Sequence, residues 1–175
     1  MRIVSVGGGP AGLYFCILAK QAHPDWEFIV HERHRPEDTF GFGVVFQVVL
    51  DRIESEFAHW DDIDVFVHGE QVRSTGHGFA GLSRQTLLQI LSDRAAELGI
   101  DLRFESDVED VEALASQCDL LLGADGLNSR VRGAYADVFQ PSVDDRPNRF
   151  VWLGTTFPYD AFTFYFKEDS AGLWR

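Results

Sequence analysis

The sequence predicts an α/β chain, three layers built about a parallel central sheet and followed by the start of an antiparallel sheet. Three observations carry that expectation. Short apolar runs at 3–6, 27–32, 100–104 and 120–122 read as strands buried on both faces. Stretches at 10–21 and 83–98 have helical apolar spacing and lie between those runs. After Pro141 and Pro147 the texture changes, and segments 149–157 and 161–167, rich in Phe, Thr, Tyr and Trp, suit antiparallel strands of another layer.

Taken in order, Ile3 to Val6 gives a strand that ends in glycines. From Pro10 to Gln21, Leu13, Ile17 and Lys20 recur by turns with Leu18 on the apolar face, until His23-Pro24-Asp25 breaks the pattern. Glu27 to Glu32 is a second strand, and strand, helix, strand makes a βαβ unit with a right-handed crossover. Residues 36–47 read as loop, with Pro36, Gly41 and Gly43, and a short helix is expected over Val48 to Phe57. Alternating segments follow at 63–67 and 71–75, then a turn marked by Gly76, Gly78 and Gly81. Ser83 is a suitable N-cap for a helix faced by Leu87, Leu91, Ala95 and Leu98, with Gly99 at the C′ position. Near the end Phe162, Phe164 and Phe166 alternate, which puts three rings on one face of a strand. The expected domains are residues 1–147, with an excursion at 36–76, and residues 148–175 as the first strands of a second domain that continues past Arg175.

Composition narrows the partners. Twenty-eight acidic and 15 basic residues leave a formal charge of −13, which repels a polyphosphate backbone and argues against nucleic acid. A small anion must instead be met by backbone N–H groups, helix ends or single arginines. Cys16 and Cys118 form no CxxC pair and read as reduced core thiols. No charged and apolar leader precedes the first strand, and no run approaches the roughly 20 apolar residues of a membrane span, so a cytoplasmic protein is expected.

Gly7-Gly8-Gly9-Pro10-Ala11-Gly12 fits G-x-G-x-x-G between a strand and a helix, the context that gives the pattern meaning in a Rossmann-like fold. Gly7 permits the tight turn, Gly9 lets backbone approach a pyrophosphate, and Gly12 allows close helix–strand packing. Pro10 and Ala11 open the helix, whose N-terminal N–H groups favour phosphate. Glu32 stands 20 residues after Gly12, where a carboxylate binds adenosine ribose hydroxyls and repels a 2′-phosphate, and Arg33 follows it. FAD or NAD therefore fits and NADP does not. His31 and His34 flank Glu32, but neighbouring strand residues point to opposite faces, so no metal site is expected there. Asp61, Asp62 and Asp64 lack an EF-hand pattern and read as a solvated turn.

The stretch from Cys118 to Arg132 is an apolar strand, a Gly-Ala-Asp-Gly turn and a helix start carrying Ser129, Arg130 and Arg132. From its residues alone it is as readily a structural turn as a ligand contact. It resembles the Asp-Gly motif of single-component flavin monooxygenases with the para-hydroxybenzoate hydroxylase fold, matching at Asp119, Gly123, Asp125, Gly126, Ser129 and Arg132. That resemblance implies contacts to FAD and to the nicotinamide nucleotide, and it makes Arg84 the arginine that reaches the FAD phosphates. Blocks 38–46, 77–84 and 146–156 are similar to the aryl-coenzyme A hydroxylases, of the salicylyl-CoA 5-hydroxylase and 2-aminobenzoyl-CoA monooxygenase type. A more distant similarity is to the tryptophan-ring hydroxylase of violacein synthesis.

The resemblance implies an FAD enzyme that takes electrons from NADH and one atom of molecular oxygen to hydroxylate an activated aromatic ring, on an aryl-CoA thioester. It identifies Gly7, Gly9, Pro10, Ala11, Gly12, Glu32, Arg33, Arg84, Asp125, Gly126 and Arg132 as cofactor-binding positions. Phe42 and Val44 to Phe46 fall near the flavin ring by the same resemblance, and no catalytic side chain is assigned. Two departures stand out: the segment from Gln47 to His59 is shorter than in those hydroxylases, and their second FAD motif, a Gly-Asp pair, lies past the end of this chain. The chain by itself is thus expected to be inactive. Two other readings of the residues are a nucleotide-binding module without activity and an NAD-dependent dehydrogenase.

Overall fold

The computed structural model describes residues 1–39, 41–46, 57–151, 153–170 and 172–174. In chain order the elements are β1 (Arg2–Val6), α1 (Pro10–Ala22), β2 (Glu27–His31), β3 (Gly43–Phe46), β4 (Ala58–Trp60), β5 (Ile63–Val67), β6 (Glu70–Ser74) and β7 (Phe79–Ser83). There follow α2 (Arg84–Glu97), β8 (Asp101–Arg103), α3 (Val111–Ala115), β9 (Leu120–Gly123), α4 (Arg130–Ala134), α5 (Ala136–Phe139), β10 (Phe162–Asp169) and β11 (Gly172–Trp174). The chain divides into two compact units, Met1–Phe40 with Gln85–Phe150, and Gly41–Arg84 with Val151–Arg175.

The first unit is built on a parallel sheet of order β8-β2-β1-β9. Its strands form because their apolar residues are buried from both sides: Ile3, Val4, Phe28, Ile29 and Val30 are all about 1% exposed. Alternate residues face opposite ways. Ile3, Phe28 and Val30 pack with Leu13, Cys16 and Ile17 of α1 and Ala95 of α2, whereas Val6 packs with Val111 of α3 and Val131 of α4. Helices therefore cover both faces. Leu18, expected on the buried side of α1, is instead 48% exposed, because the stripe of Leu13, Cys16 and Ile17 turns it outward.

Helix α2 ends as a Schellman motif. Gly99, at φ +75°, donates its N–H to the Ala96 carbonyl, and Ile100 donates to Ala95. Ser83, expected as its N-cap, is the last residue of β7, so strand and helix join with no intervening loop. Helices α3 and α5 are short and carried no clear sequence signal.

The second unit holds two sheets, β3-β7-β4, antiparallel throughout, and β11-β10-β5-β6. The first replaces what reads as loop at 43–46 and turn at 79–83. Gly81 belongs in a strand because the Trp60 ring lies over it: a Cβ there would come 2.6 Å from a ring carbon. In the second sheet β10 pairs antiparallel with β11 but parallel with β5, Phe162 opposite Ile63 through Phe166 opposite Val67. The antiparallel expectation thus fails for that pair. Parallel neighbours need a long crossover, and here it is the chain between β5 and β10. The three phenylalanines do share a face, with ring centroids 5.2 Å and 6.3 Å apart in succession.

The strand expected over 149–157 is absent among its described residues. Phe150, Val151, Leu153 and Phe157 are 65–84% exposed, and strand propensity expresses fit against a neighbouring strand, whereas no strand pairs with them among the described residues. The helix expected over 48–57 lies outside the described residues except for Phe57, which is buried and not helical. Among the described residues no helix is long and apolar enough to cross a membrane.

Candidate dinucleotide site

The four parallel strands run in register and finish together, at Val6, His31, Arg103 and Gly123. In such sheets ligands bind beyond the carboxyl ends of the strands. The residues that follow each strand end build the site.

Beyond β1, Gly7 donates its N–H to the His31 carbonyl at 2.8 Å, and Ala124 donates to Val6 at 2.8 Å. The chain crosses there so tightly that only glycine fits: Gly7 has φ +107°, and a Cβ on it would lie 2.2 Å from the Ala124 carbonyl oxygen. On Gly12 a Cβ would lie 2.3 Å from the Gly7 oxygen. Buried Ser5 supports the turn from below, its hydroxyl donating to the Gly7 carbonyl at 3.1 Å. Gly9 is different, with nothing within 4 Å of where its Cβ would be. It caps α1 without a side chain, Pro10 has no N–H, and the first helix bond runs from Leu13 to Gly9. The Ala11 and Gly12 N–H groups at this end have no intrahelical acceptor, the arrangement that receives an anion.

Beyond β2 stands Glu32. Its carboxylate accepts the Gly8 N–H at 2.8 Å through Oε2 and the His34 N–H at 2.9 Å through Oε1. A carboxylate has about four lone-pair positions, so capacity for sugar hydroxyls remains. The backbone of Glu32 is bonded to the end of β8 and to the chain after it: its N–H donates to Arg103 at 2.8 Å, and its carbonyl accepts from Ser106 at 2.9 Å. Arg33, exposed, donates from Nε to His34 Nε2 at 3.0 Å. His31 Nδ1 is 2.8 Å from Ser106 Oγ, and burial, then Arg103, holds its pKa below the usual histidine value.

Beyond β9 the Asp-Gly turn is held from within. Asp125 accepts from Ser129 Oγ and from the Arg130 N–H, both at 2.6 Å, and from the Val131 N–H at 3.3 Å. Ser129 in turn caps α4 by accepting the Arg132 N–H at 2.9 Å. Gly126 takes φ +82°. The Arg130 guanidinium reaches Asp107 at 2.7 Å and the Val108 carbonyl at 2.9 Å, while Arg132 donates to the Leu127 carbonyl. The glycine loop, Glu32, Asp125, Gly126 and Arg132 thus share one unit.

Arg84 belongs to the other unit, at the end of its first segment. Its N–H donates to Phe42 at 3.1 Å, and its Nε is buried without a hydrogen-bond partner among the described residues. Such an atom is costly unless something accepts from it. Phe42 is exposed, with Val44 and Val45 on β3. The acids at 61–64 are not a free cluster: Arg73 binds Asp64 and reaches Asp62 at 3.3 Å. Sequence reading missed Ser5, Ser106 and Arg73, since each acts through a partner fixed only by the fold.

No protein-family model matches the chain. It is 41% identical over 185 residues to salicyloyl-CoA 5-hydroxylase of a Streptomyces species, covering 99% of this chain and 36% of that protein. It is 30% identical to protodeoxyviolaceinate monooxygenase of Chromobacterium violaceum, covering 99% of this chain and 50% of that one. Among solved structures, a tetrameric form of 2-methyl-3-hydroxypyridine-5-carboxylic acid oxygenase superposes with TM-score 0.64 at 25% identity, over 76% of this chain and 41% of that one. CtdE, solved with FAD and a substrate, superposes at 0.52 with 22% identity over 63% and 31%. The chain therefore spans about a third to a half of the curated relatives it matches. Over 99% of its length the chain is similar in sequence to salicyloyl-CoA 5-hydroxylase and related monooxygenases, and its fold is similar to that of a flavin hydroxylase.

Proposed function

We propose that the chain is the FAD-binding part of a monooxygenase that hydroxylates an aromatic ring, with an aryl-CoA thioester as substrate, molecular oxygen as co-substrate and NADH as reductant. The observation that carries the reading is the pairing, at adjacent strand ends, of the open Gly9 face with the Glu32 carboxylate. Backbone N–H groups at the start of α1 receive the pyrophosphate, and Glu32 accepts from the ribose hydroxyls of its adenosine half. Gly7, Pro10, Ala11 and Gly12 shape that loop, and Arg33 lies at its sugar end. Asp125, Gly126 and Arg132 set the turn that borders the same strand ends. The Nε of Arg84, which has no hydrogen-bond partner among the described residues, suits a phosphate oxygen.

Bound FAD supplies the redox chemistry with oxygen, and the protein supplies placement and exclusion of water. The free cysteines suit a cytoplasmic setting.

Flavin fluorescence titration tests the binding step. FAD is expected to bind, ADP to compete, and Glu32→Ala to weaken both by about 1–3 kcal/mol, the loss of a hydrogen bond to a charged group. An unchanged affinity rejects the role of Glu32, and tight NAD binding without FAD binding rejects the flavoenzyme. In the complete enzyme, NADH oxidation stimulated by an aryl-CoA tests the substrate.

A further inference from the structure

Glu32 can serve a ribose only if its backbone is fixed, because it is the first residue past the β2 ladder. The β2–β8 register ends at His31 opposite Arg103. Past that point the chain after β8 does not leave. Glu105 takes φ +51°, and the turn brings residues 105 and 106 back against the end of β2. Glu32 then lies between two backbone bonds, its N–H to Arg103 and its carbonyl from Ser106, and Glu105 donates to His34 at 3.1 Å. Two side-chain bonds tie this bracket: an exposed ion pair of Arg35 with Glu105 at 3.3 Å, and His31 Nδ1 to Ser106 Oγ at 2.8 Å, between partly buried residues.

We infer that Ser106, held by His31, is a positioning residue for the nucleotide: the pair fixes the bracket that aims the Glu32 carboxylate at the ribose hydroxyls. The inference rests on the reading of Glu32 as a ribose ligand. Neither side chain need touch the nucleotide. Removing the Ser106 hydroxyl frees the 104–106 turn from His31, and the Glu32 backbone then samples positions from which its carboxylate misses the sugar. The effect should fall on sugar recognition and leave the pyrophosphate contacts at α1 in place.

The test compares ADP with 2′-deoxy-ADP, titrated calorimetrically into the full chain and into Ser106→Ala, Ser106→Thr, His31→Gln and Glu32→Ala. The wild-type chain should prefer ADP, and Glu32→Ala should abolish that preference. Ser106→Ala should cut the preference about threefold to tenfold, the range for one hydrogen bond, while binding of 2′-deoxy-ADP stays near wild type. Ser106→Thr, which keeps the hydroxyl, should restore it, and Ser106→Ala should add nothing in the Glu32→Ala background. A full preference retained in both Ser106→Ala and His31→Gln overturns the inference while leaving Glu32 as a ligand. A preference that survives Glu32→Ala overturns the underlying reading as well.

Discussion

Asp64 on β5 and Arg73 on β6 stand directly opposite each other in the antiparallel register and are joined by two N–H···O bonds of 2.6 Å. Asp64 is only 6% exposed, and the Arg73 guanidinium holds its carboxyl below the ordinary value of 3.8 while the pair raises the pKa of Arg73. A carboxyl whose folded-state pKa is lowered adds stability above its unfolded value and loses it as pH falls through the folded value. Asp64→Asn should therefore melt earlier than wild type at neutral pH. The gap should close once the pH drops below 3.8 and the native carboxyl takes up its proton. Thermal melts of both proteins over that range decide it, and a gap that persists in strong acid would refute the pairing.

Gly7 and Gly9 separate packing from binding. A Cβ on Gly7 meets the Ala124 carbonyl at 2.2 Å in a left-handed backbone, whereas one on Gly9 meets nothing. Gly7→Ala should cost roughly 2–5 kcal/mol, combining backbone strain with overpacking. Gly9→Ala should stay within about 1 kcal/mol of wild type in stability. Its methyl would instead occupy the space a pyrophosphate needs, so FAD affinity should fall with little change in the melt. Denaturant unfolding and flavin titration on the two variants check both halves.

The glycine loop, Glu32 and the strands around them were legible because each is a local pattern: a run of residues with a spacing that one element imposes. The β3-β7-β4 sheet was not. Its strands carry Gly43 and Gly81, and a glycine reads as a turn unless one knows that the Trp60 ring covers it. The acids at 61–64 read as solvated because Arg73 enters only through the β5–β6 register. Residues 149–157 have strand composition, yet Phe150, Val151, Leu153 and Phe157 are exposed and no strand forms among the described residues. Asp125 was legible as part of an Asp-Gly turn, but not that the start of α4 would bond its carboxylate.

Asp125 makes a prediction of its own. With the carboxylate removed in Asp125→Ala, the Arg130 and Val131 N–H groups and the Ser129 hydroxyl lose their acceptor together. The cost should be about 1–2 kcal/mol, that of losing a helix cap. Hydrogen exchange should localise it, with faster exchange at Arg130 and Val131 and unchanged protection in β1 and β2. Uniform loss across the unit would show that the turn holds more than α4.

Cys16 tests how firmly α1 seats the glycine loop. Its thiol is fully buried against the sheet, and burial raises its pKa to about 11. At mildly alkaline pH roughly one such thiol in a thousand is the reactive thiolate, before access is considered. Cys118 is also raised by burial but is only half-buried. In the native protein a thiol reagent should therefore modify Cys118 first, and Cys16 only when α1 lifts from the sheet. That opening exposes the loop that grips the pyrophosphate, so a ligand bound there must slow it by mass action. FAD or ADP should retard Cys16 modification in proportion to occupancy and leave Cys118 unchanged. Equal retardation of both thiols would place the opening elsewhere, and no retardation would show that the ligand does not bind through the start of α1.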